Sequence, residues 1–329
     1  YIENLVSNTY DKILNITPLA EQEGLEKITS LSWMNNLVKL LTYSGINEEE
    51  LEIYYDKPIC GRKLYEAKYN GEDVAVKFFC DTKDTIGNPH KMMITKCDEY
   101  ASSLSNFIRE KTLFDKLNNE GDNIIKYYGC FVWIESDRTD TFWSNTSAIF
   151  GLVLEKGSSI NQIGKDLDIA TMPLKNVVEE KLKILLDTCK GVKQLHMKGI
   201  VHKDIKIDNI VRIDDIVKII DLGISKSIQD STNTSPLGTP DYIAPEVDNN
   251  FPCNGQMADI YSIGVLAWKL FNGFDKTLPS KVKFTSLPTT HEDLQNIFTK
   301  CLEKEPWKRP SIKQIIEELE KANIHQVFL

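Results

Sequence analysis

Apolar residues in the first fifty positions recur near a helical period. They run Ile2, Leu5, Val6, Ile13 and Leu14, then Leu25, Ile28, Leu31, Leu37, Val38 and Leu41. The spacing predicts amphipathic helices, the second stopping at Gly45. From about residue 52 the period shortens. Lys63 to Tyr69 alternates, Asn70-Gly71 interrupts, and Val74 to Phe79 is almost continuously apolar. Asn-Gly between two such runs predicts a tight β-hairpin.

A polar stretch extends through Pro89, and a helical pattern then runs from Phe107 to Leu117. Strands are expected over Ile124–Val132 and Ala148–Leu154, with a loop from Glu135 to Thr146 between them. Past Gly157 the pattern is helical again. Val178, Leu182, Leu185, Leu186, Cys189, Val192 and Leu195 share a face within Val177–Met197. A loop-rich centre covers about 199 to 258, broken by the strand-like Val217–Ile220. Further helices are expected at Ile260–Phe271, Leu294–Leu302 and Ile312–Leu319. The order is a small β-rich part followed by a larger helical part, an α+β arrangement.

Composition narrows the class. The 329 residues suffice for roughly two domains. With 41% apolar and 26% charged residues this is an ordinary globular chain, not a fibrous or disordered one. No apolar run approaches the ~18 residues of a spanning helix, so no membrane span is expected. The net charge of −9 disfavours nucleic acid as a partner, because neutralising phosphates requires a basic face. The 7 cysteines are odd in number and include no Cys-x-x-Cys pair, which points to buried thiols in a reducing compartment.

The candidate chemistry lies in the loop-rich centre. His202-Lys203-Asp204-Ile205-Lys206-Ile207-Asp208-Asn209 is followed by Asp221-Leu222-Gly223. Asn209 and Asp221 offer hard oxygen ligands suited to Mg²⁺ that is also bound by phosphate. Asp204 is available to accept a proton from a hydroxyl, and Lys206 to neutralise a transferring phosphoryl group. These residue types point to phosphoryl transfer.

The same segment resembles the catalytic loop and metal-binding motif of the eukaryotic-type protein kinases. Val74-Ala75-Val76-Lys77 resembles the strand motif whose lysine holds the ATP phosphates, and Glu110 falls where the family places that lysine's partner. Leu152-Val153-Leu154-Glu155 resembles the strand entering the hinge. Gly238-Thr239-Pro240-Asp241-Tyr242-Ile243-Ala244-Pro245-Glu246 resembles the end of the activation segment. Asp259 and Arg309-Pro310 match anchors of the helical lobe, with Arg309 the expected partner of Glu246. The resemblance spans about 52 to 323, and Lys206 with Thr239 places it in the serine/threonine branch.

It implies a bilobal protein kinase fold, with a β-rich N-lobe at 52–156 and a helical C-lobe at 157–323. A helical extension at 1–51 would precede it and a tail at 324–329 would follow. ATP and Mg²⁺ are the implied cofactors and protein Ser/Thr hydroxyls the acceptors. Asp204, Lys206 and Asn209 are the implied catalytic residues, with Asn209 and Asp221 on the metal. Leu64, Ala75, Lys77, Glu110, Leu154, Glu155, Gly157, Val211 and Asp221 form the implied nucleotide site, where backbone groups of Glu155 and Gly157 contact adenine. Thr239 shapes the peptide site. Thr232, Thr234 and Ser235 are candidate phosphosites. Asp208 stands where the family often reads basic substrate side chains, although a loop aspartate satisfying its own backbone needs no such role.

Three features depart from the family. Lys57, Ile59 and Arg62 stand where the resemblance calls for phosphate-loop glycines, and only Gly61 is near. Side-chain charge from Arg62 and Lys63 is one substitute for the lost backbone approach, and plain solvent exposure is the other reading. Lys203 replaces an arginine, a point charge in place of a bidentate clamp. An insertion at 80–105 precedes the Glu110 helix. It and residues 1–51 are candidate docking sites for a regulatory partner, and a tolerated surface loop is the other, somewhat favoured account of the insertion. The rival function is a pseudokinase switch acting through nucleotide-sensitive partner binding. The expected setting is cytoplasmic, a host cytosol if the chain is a secreted effector.

Overall fold

The computed structural model describes residues 46–60, 63–79, 97–136, 146–159, 173–227, 238–248, 254–279, 282–284, 287 and 291–326. The helices expected before residue 46, the inserted residues 80–96, Gly61, Arg62 and the candidate phosphosites Thr232, Thr234 and Ser235 lie outside them. The chain divides into two compact units. One takes the described residues up to Thr112 together with Lys126–Lys156, and the other takes Leu113–Ile125 and the residues from Gly157 onward.

The first unit is built on a five-stranded antiparallel sheet in the order β1-β2-β3-β5-β4. Its strands are β1 (Leu51–Cys60), β2 (Leu64–Tyr69), β3 (Glu72–Phe78), β4 (Tyr127–Ser136) and β5 (Thr146–Glu155). The β2–β3 hairpin forms at Asn70-Gly71 as the sequence predicts. Both residues take positive φ, 51° and 84°, which Asn and Gly tolerate best. The register pairs Tyr65 with Val76 and Ala67 with Val74, and Val76 in turn with Val153. These side chains share one face and join Phe78 and Phe131 in a buried core. The opposite face carries Leu64, Ala75, Lys77, Leu152 and Leu154.

Helix α1 (Cys97–Leu117) starts ten residues before the expected Phe107, and Cys97, Tyr100, Ala101 and Leu104 stand at helical spacing ahead of it. Phe107 is fully buried against Phe79 and Phe150, with ring centroids 5.4 and 5.1 Å away. β4 lies a little later than the expected Ile124–Val132. Ile124 instead belongs to the second unit, where it bridges Ile219.

The second unit is helical. It contains α2 (Leu174–Met197), α3 (Pro245–Asp248), α4 (Gly255–Asn272), α5 (Glu292–Cys301) and α6 (Ile312–Gln326). The centre expected to be loop-rich holds four short strands: β7 (Ile200–Val201), β8 (Ile210–Ile213), β9 (Ile216–Ile219) and β10 (Lys226–Ser227). Strands this short show no measurable period, which is why the sequence pattern misses most of them. A further strand, β6 (Ser158–Ser159), pairs with β8, and β8 pairs with β9. Nearly every residue of α4 is buried, so this helix is the axis on which the loops around it are fastened.

Candidate active site

In the first unit, Lys77 and Glu110 form a close ion pair. Lys77 Nζ donates to both Glu110 carboxylate oxygens, at 2.8 and 2.9 Å. Two local facts produce it. Pleat alternation puts Lys77 on the face opposite the Val74–Val76–Phe78 core. Phe107 anchors α1, and Glu110 follows three residues later on the same helical face. The Glu110 side chain is fully buried, so without this partner it would be a desolvated charge. Leu64, Ala75 and Leu154 share the sheet face of Lys77. The backbone N–H of Glu155 donates to the Lys126 carbonyl at 2.9 Å, so that donor is already committed.

In the second unit, the centre is Asp204. Its Oδ1 accepts the Thr239 backbone N–H at 3.0 Å and the Thr239 hydroxyl at 2.7 Å. Its Oδ2 meets Lys206 Nζ at 2.8 Å and accepts from Asn209 Nδ2 at 2.9 Å. Lys206 Nζ also donates to Thr239 Oγ1 at 2.7 Å, closing a three-membered ring of contacts. Burial pushes the Asp204 carboxyl up. The bonds from Lys206 and Thr239, the Lys206 charge and the Asn209 amide outweigh it, and the group titrates below the ordinary aspartate range. Asp204 is therefore a carboxylate, ready to accept a proton, throughout the neutral range.

Asn209 is set by its amide nitrogen. Nδ2 donates to both the backbone carbonyl (2.8 Å) and the carboxylate of Asp204. That arrangement leaves Oδ1, the end able to ligate a cation, outside the Asp204 network. The β8–β9 hairpin pairs Ile210 with Ile219, and Ile220 N–H donates to the Asn209 carbonyl at 3.1 Å. The turn bearing Asn209 and the segment entering Asp221 thus leave the same end of one hairpin. Asp221 Oδ1 accepts the Gly223 N–H at 2.9 Å. An Asn amide oxygen and an Asp carboxylate suit Mg²⁺, which takes few protein ligands when phosphate supplies others. The residues present fit that ion.

The strand and loop preceding Asp204 hang on Asp259, a fully buried residue of α4. Asp259 accepts the backbone N–H groups of His202 (2.9 Å) and Lys203 (2.8 Å) and contacts His196 Nε2 at 2.9 Å. Lys203 sits at φ 72°, a left-handed conformation that lysine rarely adopts, and its bond to Asp259 helps hold it there. His202 Nδ1 accepts the Asp204 N–H at 3.2 Å, and Ser225 Oγ donates to the His202 carbonyl at 3.1 Å. Burial lowers the His202 pKa against the pull of Asp259, Asp221 and Asp204. Glu246 and Arg309 are paired as the resemblance implies, with both Nη atoms 2.7 Å from the carboxylate.

Gly157 and Val211 meet in this unit. A Cβ on Gly157 would stand 2.7 Å from Val211 Cγ2, so only glycine lets the chain pass there. Lys57 and Ile59 are exposed, and Lys57 Nζ lies 4.9 Å from the Tyr54 ring centroid of its own strand. Lys63 is exposed as well. Sequence reasoning did not single out His196, Ser225 or Lys269. Each makes its contact across many residues, and no spacing rule could have revealed it.

The protein kinase domain model matches residues 68–319. A probable LIM domain-containing serine/threonine-protein kinase of Dictyostelium discoideum is 25% identical over 302 residues, covering 87% of this chain and 41% of that protein. A serine/threonine-protein kinase of Arabidopsis thaliana is 26% identical over 275 residues, 78% of this chain and 29% of that protein. A probable serine/threonine-protein kinase of Bifidobacterium longum is 36% identical over 131 residues, 38% of this chain and 17% of that protein. The chain therefore spans less than half the length of these relatives. It belongs to the protein kinase family, and the relatives it is similar to are themselves named as serine/threonine-protein kinases. Among the described residues no helix is long and apolar enough to cross a membrane.

Proposed function

We propose that this chain transfers the γ-phosphoryl group of ATP to serine or threonine hydroxyls of protein substrates. The observation that carries the reading is the Asp204 carboxylate, held ionised by Lys206, Thr239 and Asn209. Asp204 would orient the acceptor hydroxyl and take its proton. Lys206 would balance charge on the transferring group. Asn209 Oδ1 and Asp221 would hold Mg²⁺, which when bound neutralises phosphate charge. Lys77, steadied by Glu110, would position the α- and β-phosphates, and Leu64, Ala75, Leu154 and Val211 would enclose the adenine. The backbone of Glu155 and Gly157 would contact the base, in Glu155 through a group other than its N–H. Thr239 would shape the peptide site.

The replacement of phosphate-loop glycines by Lys57, Ile59 and Arg62 favours a second reading. In it the domain binds nucleotide loosely and signals by shape. Residues 1–51 or 80–105 would then dock the partner. In the kinase reading alone, Thr232, Thr234 and Ser235 are candidate self-modification sites. The setting proposed is the cytoplasm.

The deciding experiment is phosphate transfer from Mg-ATP to a basic acceptor protein, wild type beside Asp204→Ala. Transfer to Ser/Thr that the variant loses by about a thousandfold establishes the kinase reading. Nucleotide binding without transfer in the wild type favours the switch.

A further inference from the structure

Helix α4 contains two charged side chains, Asp259 and Lys269, in an otherwise apolar or neutral sequence. Asp259 has the role described above. Lys269 is equally buried, with its side chain 5% exposed. A buried ammonium is tolerated only where its donors are satisfied. Lys269 Nζ donates to Asp241 Oδ2 at 2.9 Å, to the Phe274 carbonyl at 3.2 Å and to the Lys276 carbonyl at 3.1 Å. All three of its hydrogens are used. It also lies 5.5 Å from the centroid of the Tyr242 ring.

The pair is unequal. The Asp241 side chain is 52% exposed and could be solvated without Lys269. The cation is thus not there to neutralise a trapped carboxylate. What the contact adds is direction: it holds one point of the Pro240–Tyr242 turn against α4. That turn is short and internally bonded, with Tyr242 N–H to the Thr239 carbonyl at 2.8 Å. Fixing Asp241 fixes Thr239, which precedes the turn as its N-cap. Ser262 of the same helix donates to the Tyr242 carbonyl at 2.9 Å, a second fastening.

Two chain segments meet at Asp204: the loop from His202 and the segment carrying Thr239. Helix α4 grips the first through Asp259 and the second through Lys269, ten residues or about 15 Å further along. A rigid helix so placed sets the relative position of the two segments. We propose that Lys269 is a positioning residue for Asp204, acting through Asp241 and the turn that presents Thr239 to the carboxylate. Its role in turnover rests on the kinase reading; its role in fixing Thr239 does not.

The test uses the full chain and the variants Lys269→Met, Thr239→Ala and their combination. One readout is amide hydrogen exchange at residues 238–243, compared with helix α4. The other is steady-state transfer to a basic acceptor. Lys269→Met should speed exchange at 238–243 while α4 stays protected. It should lower kcat about 10-fold with the KM for ATP unchanged. In the Thr239→Ala background it should lower kcat clearly less, about 3-fold, because the hydroxyl contact it supports is gone and only the backbone N–H bond of residue 239 to Asp204 remains.

Unchanged exchange at 238–243 in a folded Lys269→Met overturns the proposal. So does a kcat loss that multiplies independently with Thr239→Ala. If Lys269→Met does not fold, Asp241→Asn is measured in its place. It keeps both carbonyl partners of the ammonium, and the same exchange and coupling are expected. A wild type without turnover refutes the kinase reading alone, and exchange then decides the positioning role.

Discussion

Arg309 and Glu246 lie 63 residues apart and meet as a two-pronged pair, Nη1 to Oε1 and Nη2 to Oε2, each at 2.7 Å. The remaining Arg309 donors reach the carbonyls of Glu303, Met257 and Lys304, and the guanidinium lies 5.1 Å from the Tyr261 ring centroid. Every donor of the guanidinium therefore has an acceptor. Breaking such a pair strands a buried charge. Arg309→Ala should cost about 3–5 kcal/mol in urea unfolding. Arg309→Lys should recover only part of this, because an ammonium cannot serve the five acceptors of a planar fork. Replacing both residues by leucine should be milder than either single alanine, and a double variant as costly as the sum contradicts this account.

Thr239 touches Asp204 through both its backbone and its hydroxyl. Thr239→Ala removes the hydroxyl, with its bonds to Asp204 and Lys206, and keeps the amide. kcat/KM should fall about 10- to 100-fold, equivalent to ~1.4–2.7 kcal/mol. Thr239→Ser keeps the hydroxyl and should stay within about fivefold of wild type. Equal losses in both variants would show that the methyl, not the hydroxyl, matters.

His202 is buried with its pKa lowered, so the folded protein favours the neutral ring. Unfolding releases it to an ordinary value near 6.5. Below that value the unfolded chain binds a proton that the folded chain resists. Stability is therefore fully present above about pH 6.5 and falls as the pH drops beneath it, by up to ~1.4 kcal/mol per pH unit from this group. Urea midpoints at pH 7.5 and 5.5 measure the loss. His202→Phe should be less stable overall and should show a smaller difference between the two pH values. An unchanged difference would assign the loss elsewhere.

Gly191 lies within α2, where a Cβ would stand 2.6 Å from the Asn123 carbonyl and 2.9 Å from Ile219 Cδ1. That carbonyl accepts the Ile219 N–H at 3.0 Å, so it cannot move freely. Alanine is the better helix former, and in an exposed helix the change would stabilise by up to ~1 kcal/mol. Here overpacking should win, and Gly191→Ala should destabilise by about 1–3 kcal/mol in thermal or urea unfolding. A gain in stability would mean that the bend at Asn123 yields.

The elements with strong local signals were legible in advance. Asn70-Gly71 marked its hairpin because only a few residue types accept positive φ. The apolar stripes of α2, α4, α5 and α6 marked helices because each buries one face or all of itself. What was not read locally was the short strands β7, β8 and β10, the first turns of α1 and the anchoring done by α4. The residue types of the candidate site were legible, and their company was not. No pattern in the sequence links Lys269 to Asp241 or His196 to Asp259.

The sequence by itself determined which chemistry the chain carries: carboxylates, an amide and lysines suited to phosphoryl transfer, in an order that marks the family. The tertiary structure alone decided that the Asp204 carboxylate accepts from Thr239, Lys206 and Asn209 at once, and that one buried helix holds the segments bringing them there. The reason is range. Propensity and periodicity act over a few residues, whereas the bonds that hold Asp204 in place span up to 35 residues and those of Asp259 up to 63. Such contacts exist only once hydrophobic burial has closed the loops between their partners.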